Sequence, residues 1–134
     1  MNKIVYITGS QEQNFLFSLQ QKKDVFFVRI DGKNIPTLSN YLKEISEKFA
    51  FPMPCKTLDG YMDWIRDLSW ITQDDIIIFI DNFSLFLSKD LEKRQEILCL
   101  FKREILPWWD EQVRSYVIEG KRRNFTVFLV DNKN

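Results

Sequence analysis

Two hydrophobic rhythms alternate along this chain. Four runs rich in β-branched and aromatic residues, Ile4–Thr8, Val25–Ile30, Asp75–Ile80 and Phe125–Val130, each end at a turn-forming pair: Gly9-Ser10, Asp31-Gly32, Asp81-Asn82 and Asp131-Asn132. Asp75–Ile80 and Phe125–Val130 are apolar on both faces, the pattern of central strands in a covered parallel sheet. Helical spacing fills the intervals. Gln11–Lys22 carries Phe15, Leu16 and Leu19, and Leu38–Phe49 carries Leu38, Tyr41, Leu42, Ile45 and Phe49 at i, i+3, i+4, i+7 and i+11. A third helix, Leu58–Leu68, follows a proline-marked loop, and a long one spans Asp90–Ile118, where Pro107 is expected to kink it or start a second helix. Strands alternating with helices predict an α/β fold. The expected architecture is a single three-layer domain over residues 1–134, with helices on both faces of a mostly parallel sheet of three to four strands.

Composition narrows the chemistry. A chain of 134 residues, 45% hydrophobic with only 4 Gly and 4 Pro, buries enough surface for one core and is not a linker. Its longest uncharged apolar run, Ile76–Ile80, is far short of the roughly 20 residues of a membrane span. The N-terminus shows no apolar leader, so a cytoplasmic protein is expected. Histidine is absent, which removes Ser-His-Asp and Cys-His catalysis and His-based metal hydrolysis. Gly9, Gly32, Gly60 and Gly120 never cluster into a phosphate loop, and no cofactor is expected. Carboxylate chemistry is the main enzymatic route left. Asp31, Asp81 and Asp131 follow strands, where ligands of parallel sheets gather, so a small Mg-dependent enzyme is one alternative. As Asp-Gly and Asp-Asn pairs the same residues are ordinary turn formers. Cys55 and Cys99 sit among apolar neighbours and are expected as buried free thiols. Trp64, Trp70, Trp108 and Trp109 are expected in core packing, and Lys121-Arg122-Arg123 as a solvated turn. That basic run is too short for a nucleic-acid patch.

Charge changes the picture when it is resolved along the chain. Nineteen basic and 19 acidic residues sum to zero. Within residues 57–88, however, six aspartates and one arginine give −5, which leaves +5 on the remainder. At about 100° per residue, Leu58, Tyr61, Met62, Trp64, Ile65 and Leu68 share one half of the third helix, while Asp59, Asp63 and Asp67 recur at i, i+4 and i+8 on the other. Thr57 is the expected N-cap, and Asp59 gains from the positive helix end. Asp63 and Asp67 gain little, and like charges at i, i+4 cost about 0.2–0.5 kcal/mol per pair. Three stacked aspartates suit a face that a basic protein neutralises.

Phe51-Pro52, followed by Leu58-Asp59-Gly60-Tyr61-Met62-Asp63-Trp64-Ile65-Arg66-Asp67-Leu68-Ser69-Trp70, resembles the signature of the barstar family, intracellular inhibitors of secreted ribonucleases. The family pattern is F-P, a short loop, then x-D-A-L-x-D-x-L-x-D-L-x-W. The resemblance covers about residues 25–131, with residues 1–24 as an N-terminal strand–helix extension. It implies that Asp59 and Asp63 enter a ribonuclease active site in place of substrate phosphates, with no chemistry by this chain. The expected partner-binding set is Asp59, Asp63, Asp67, Lys56 and Gly60. The expected partner is a basic ribonuclease or nuclease toxin, with no direct nucleic-acid or membrane binding and a monomer when unbound. The loop Met53-Pro54-Cys55-Lys56-Thr57 departs from the family's aromatic, Gly and Asn, and Gly60 stands where the family has Ala. A barstar-type scaffold serving a non-nuclease partner is the other alternative.

Overall fold

The structure is a computed structural model that describes residues 2–22, 24–112 and 122–131. Strands β1 (Lys3–Thr8), β2 (Val25–Asp31), β3 (Asp75–Asp81) and β4 (Asn124–Asp131) form one sheet in the order β1-β4-β3-β2. Every pairing is parallel, with Asp31 opposite Asp81 and Thr8 opposite Asp131 in register. Helices α1 (Gly9–Leu19), α2 (Leu38–Lys48), α3 (Leu58–Ile65) and α4 (Leu91–Leu100) make the crossovers. The α/β, parallel-sheet expectation therefore holds.

The period of two along the strands separates two apolar layers. Ile76, Ile78 and Ile80 of β3 join Val28, Ile30, Phe125, Val127 and Leu129 in a large core beneath α2, α3 and α4. Phe79 faces the other way, with Phe128, Ile7 and Val130, beneath Leu19 of α1. One 11-residue helix is the only described helix on this second face, and Phe27 stays 39% exposed there. β1 belongs to the sheet through β4. Asn2, itself buried, fixes that edge: its Nδ2 donates to Leu106 O and Arg123 O, and its Oδ1 accepts from Phe125 N at 2.7 Å.

Several boundaries differ from the sequence pattern. α1 begins at Gly9 rather than Gln11, because Thr8 and Gln11 close a capping box around its first turn. It ends at Leu19, before Lys22. α3 stops at Ile65 rather than Leu68, and Leu68 turns the chain with φ 48°. A left-handed residue other than glycine costs roughly 1–2 kcal/mol. Leu68 is fully buried, worth about 1.5–3 kcal/mol, so burial wins without a glycine stop signal. α4 runs into π-helical turns at Phe101–Ile105 and Trp108–Gln112, on either side of Leu106-Pro107. Pro107 has no N–H to donate, and the wider turns absorb that break in the α-helical ladder. The part of the expected long helix over residues 113–118 lies outside the described residues.

Candidate functional site

The acidic helix stands on an aromatic base. On its buried side Tyr61 and Ile65 are fully enclosed, and the Tyr61 and Tyr41 hydroxyls share a 2.8 Å hydrogen bond. Burial raises both phenols above their usual value, so both remain neutral donors. Half-buried Trp64 packs against Phe51 and Trp70, and Trp70 Nε1 donates to Phe49 O at 2.8 Å, at the end of α2. The Phe51 and Trp70 parts of the motif thus form the seat of α3.

Both ends of the helix are closed. Thr57 Oγ1 accepts from Gly60 N at 3.1 Å, the expected N-cap, with Asp59 in the first turn. At the other end a helix leaves carbonyls without internal donors. Here side chains distant in sequence supply them. Trp109 Nε1 donates to Ile65 O at 3.1 Å and Trp108 Nε1 to Arg66 O at 2.9 Å. Arg123 Nη2 donates to Leu68 O at 3.1 Å and Ile71 O at 2.8 Å, with its guanidinium over the Trp109 ring. The tryptophans are core-packed as expected, and Trp109 is the most enclosed of the four, at 2% exposure.

Arg123 corrects the expectation of a solvated basic turn. It is 6% exposed, and burial lowers its pKa against the opposing pull of Asp74 and Asp67. Arg122 is exposed, and Lys121 lies outside the described residues. Little in the sequence signals Arg123, since its carbonyl partners lie more than fifty positions away.

This mount presents Asp59, Asp63 and Asp67 to solvent. Asp59 and Asp63 lie on α3, about 5–6 Å apart at Cβ by helical spacing. Asp67 sits in the turn beyond the helix, where its N–H still reaches Trp64 O at 3.0 Å. Among the described residues no hydrogen bond or ion pair engages any of the three carboxylates. Lys56 is exposed beside them, and Met53 in the same loop is 66% exposed. Gly60 has a local cause. A Cβ there would lie 3.3 Å from Cys55 Cβ, and Cys55 is held in turn by Ser46, whose Oγ accepts from Cys55 N at 3.2 Å. Cys55 is buried and free as expected. Cys99 is also free but exposed, because α4 turns it away from the core.

The strand-end aspartates are committed elsewhere. Asp31 Oδ1 accepts from Lys33 N at 3.0 Å and Asn82 Nδ2 at 2.8 Å, and Asp131 Oδ1 from Ser84 N at 3.0 Å. Asp81 pairs with Arg29 at 3.1 Å. Gly32 lets these turns meet, since a Cβ there would fall 2.5 Å from Asn82 O. Among the described residues no group of three or more His, Cys, Asp or Glu could hold a metal ion. The turn-forming role of Asp31 and Asp131 is thus visible, whereas a joint Mg²⁺ site is not. No described helix is long and apolar enough to cross a membrane.

Compared with known proteins, the chain matches the family model described as Barstar (barnase inhibitor) over residues 25–130. No curated protein and no solved structure matches it.

Proposed function

Because this chain belongs to the barstar family, we propose that it is a cytoplasmic immunity protein that inhibits a ribonuclease-type toxin by plugging its active site with the acidic ridge of α3. Asp59 and Asp63 stand in for RNA phosphates against the cationic groups of the nuclease, with Asp67 extending the ridge and Lys56 and Gly60 at its border. The observation that carries this reading is the contrast between a rigid mount and three exposed carboxylates that no hydrogen bond or ion pair engages among the described residues. Like charges so placed cost folding a few tenths of a kcal/mol and gain their return when a basic surface arrives. Inhibition is by occlusion. The free protein is a monomer, and neither nucleic acid nor a membrane is its ligand.

The test is capture of the partner from lysate on the immobilised chain, with RNA cleavage assayed in the eluate. Wild type is expected to retain a nuclease that Asp63→Ala does not, and association should slow by tenfold or more on the order of magnitude of other steered pairs as salt rises to physiological strength. Equal capture by both proteins sinks the ridge as the contact. A captured partner without nuclease activity would instead favour an interaction domain on the same scaffold.

A further inference from the structure

The strand ends of the sheet hold a second group of carboxylates, away from α3. A cleft of about 530 Å³ opens there, lined by Glu12 of α1, Arg29 and Asp31 of β2, and Asp81 of β3. The Glu12 side chain is 5% exposed, and its Oε1 lies 3.5 Å from Arg29 Nη2. The same guanidinium nitrogen is 3.1 Å from Asp81 Oδ2, and Arg29 Nε donates to that oxygen at 3.2 Å. One arginine therefore serves two carboxylates. Their remaining oxygens, Glu12 Oε2 and Asp81 Oδ1, are buried and have no donor among the described residues. Two carboxylates against one guanidinium, each with a buried oxygen lacking a donor, leave one negative charge unmatched, and a single proton on the pair would both neutralise that charge and supply the missing donor.

We propose that this shared proton is a latch that docks the start of α1 onto the ends of β2 and β3, and that its loss as pH rises to neutrality loosens α1 from the sheet. The other charged groups nearby do not replace it. Asp31 is turned to Lys33 N and Asn82, the β4 carboxylate Asp131 is turned to Ser84 N, and β1 contributes the uncharged Thr8. Burial pushes the Glu12 carboxyl from 4.5 up to about 7, the hydrogen bond and the negative charge of Asp81 push the same way, and Arg29 opposes them. Between pH 4.5 and about 7 the docked state thus holds one proton more than a state with α1 released. The docked-to-released ratio should fall about tenfold per pH unit between the released value of 4.5 and the docked value of about 7, and level off above. What the latch controls is the cover over Ile7, Phe79, Phe128 and Val130.

Hydrogen exchange of the α1 amides in the full chain, referenced to α2 at each pH, reads the latch, and carbon-detected NMR reads the Glu12 carboxyl. Wild type should titrate Glu12 near neutrality and lose α1 protection with the stated slope. Glu12→Gln, whose amide donates to Asp81 at every pH, should keep α1 protection constant. If that variant folds poorly, Asp81→Asn decides: its amide donates to Glu12 and the charge of Asp81 is gone, so the Glu12 midpoint should fall below its wild-type value while burial still holds it above 4.5, and the loss of α1 protection should end at a lower pH. A wild-type Glu12 midpoint in the ordinary carboxylate range, α1 protection falling in Glu12→Gln as in wild type, or an Asp81→Asn midpoint equal to that of wild type overturns the latch.

Discussion

Asp59, Asp63 and Asp67 on the α3 side, and Glu12 and Asp81 at the strand ends, are both acidic clusters, and they are built in opposite ways. The first is exposed, and its backbone is fixed by Thr57, Trp108, Trp109 and Arg123. The second is enclosed, with Glu12 buried and Asp81 half-buried, and Arg29 serves both of its carboxylates inside the fold. Burial makes a lone charge costly, so a buried carboxylate must find a partner within the molecule. Exposure removes that requirement and leaves the charge for an external partner. A rigid, exposed acid therefore suits recognition, and a buried one suits internal docking.

Each side of this contrast can be broken separately. On the exposed side, Asp63→Ala should weaken binding to the captured nuclease by about 2–5 kcal/mol, the cost of truncating one partner of a charge pair buried at an interface. Its urea midpoint should stay within about 0.5 kcal/mol of wild type in stability; a large loss of stability would show that the aspartate is structural. Beneath the same ridge, Arg123→Ala leaves Leu68 O and Ile71 O without their donor and opens a cavity beside Trp109. A loss of about 2–4 kcal/mol in chemical denaturation is expected, and a neutral result would remove Arg123 from the mount. On the buried side, Glu12→Gln should stabilise the protein at about pH 8 by on the order of 2 kcal/mol. The sign follows from a raised pKa: the contribution of Glu12 is complete below 4.5 and is lost as pH rises to about 7, so the gain from glutamine should vanish in acid. Smallest is Gly60→Ala. The helix gains up to about 1 kcal/mol, but the new Cβ meets Cys55 at 3.3 Å, so thermal denaturation should move little in either direction.

Much of this architecture was legible in the chain. The strands were found to within a residue at their ends, because β-branched runs followed by Gly-Ser, Asp-Gly or Asp-Asn carry both the strand and its stop. α2 was found because its apolar positions keep one face through Phe49. The end of α3 was not, since a left-handed Leu68 is held by burial and no glycine announces it. Of the candidate site, Asp59, Asp63 and Asp67 were visible as a charge pattern, and the structure places them at the surface with Asp67 in the turn just beyond the helix. Arg123 and Glu12 were not visible as participants. Arg123 reads as part of a basic turn and nothing in the sequence singles out Glu12, because what each touches lies on another element.

Local chemistry therefore determined which residues form strands and helices, where the charge concentrates and which family the motif belongs to. Those properties depend on neighbours a few positions apart, through backbone conformation, side-chain period and capping. Tertiary structure alone decided which charges are enclosed, because burial depends on what other segments bring to the same place. It set Arg123 under the acidic ridge and Glu12 against Asp81, and it left Asp59 and Asp63 in water. The same carboxylate became an internal contact in one place and a recognition surface in the other according to the solvent that the fold removed or left.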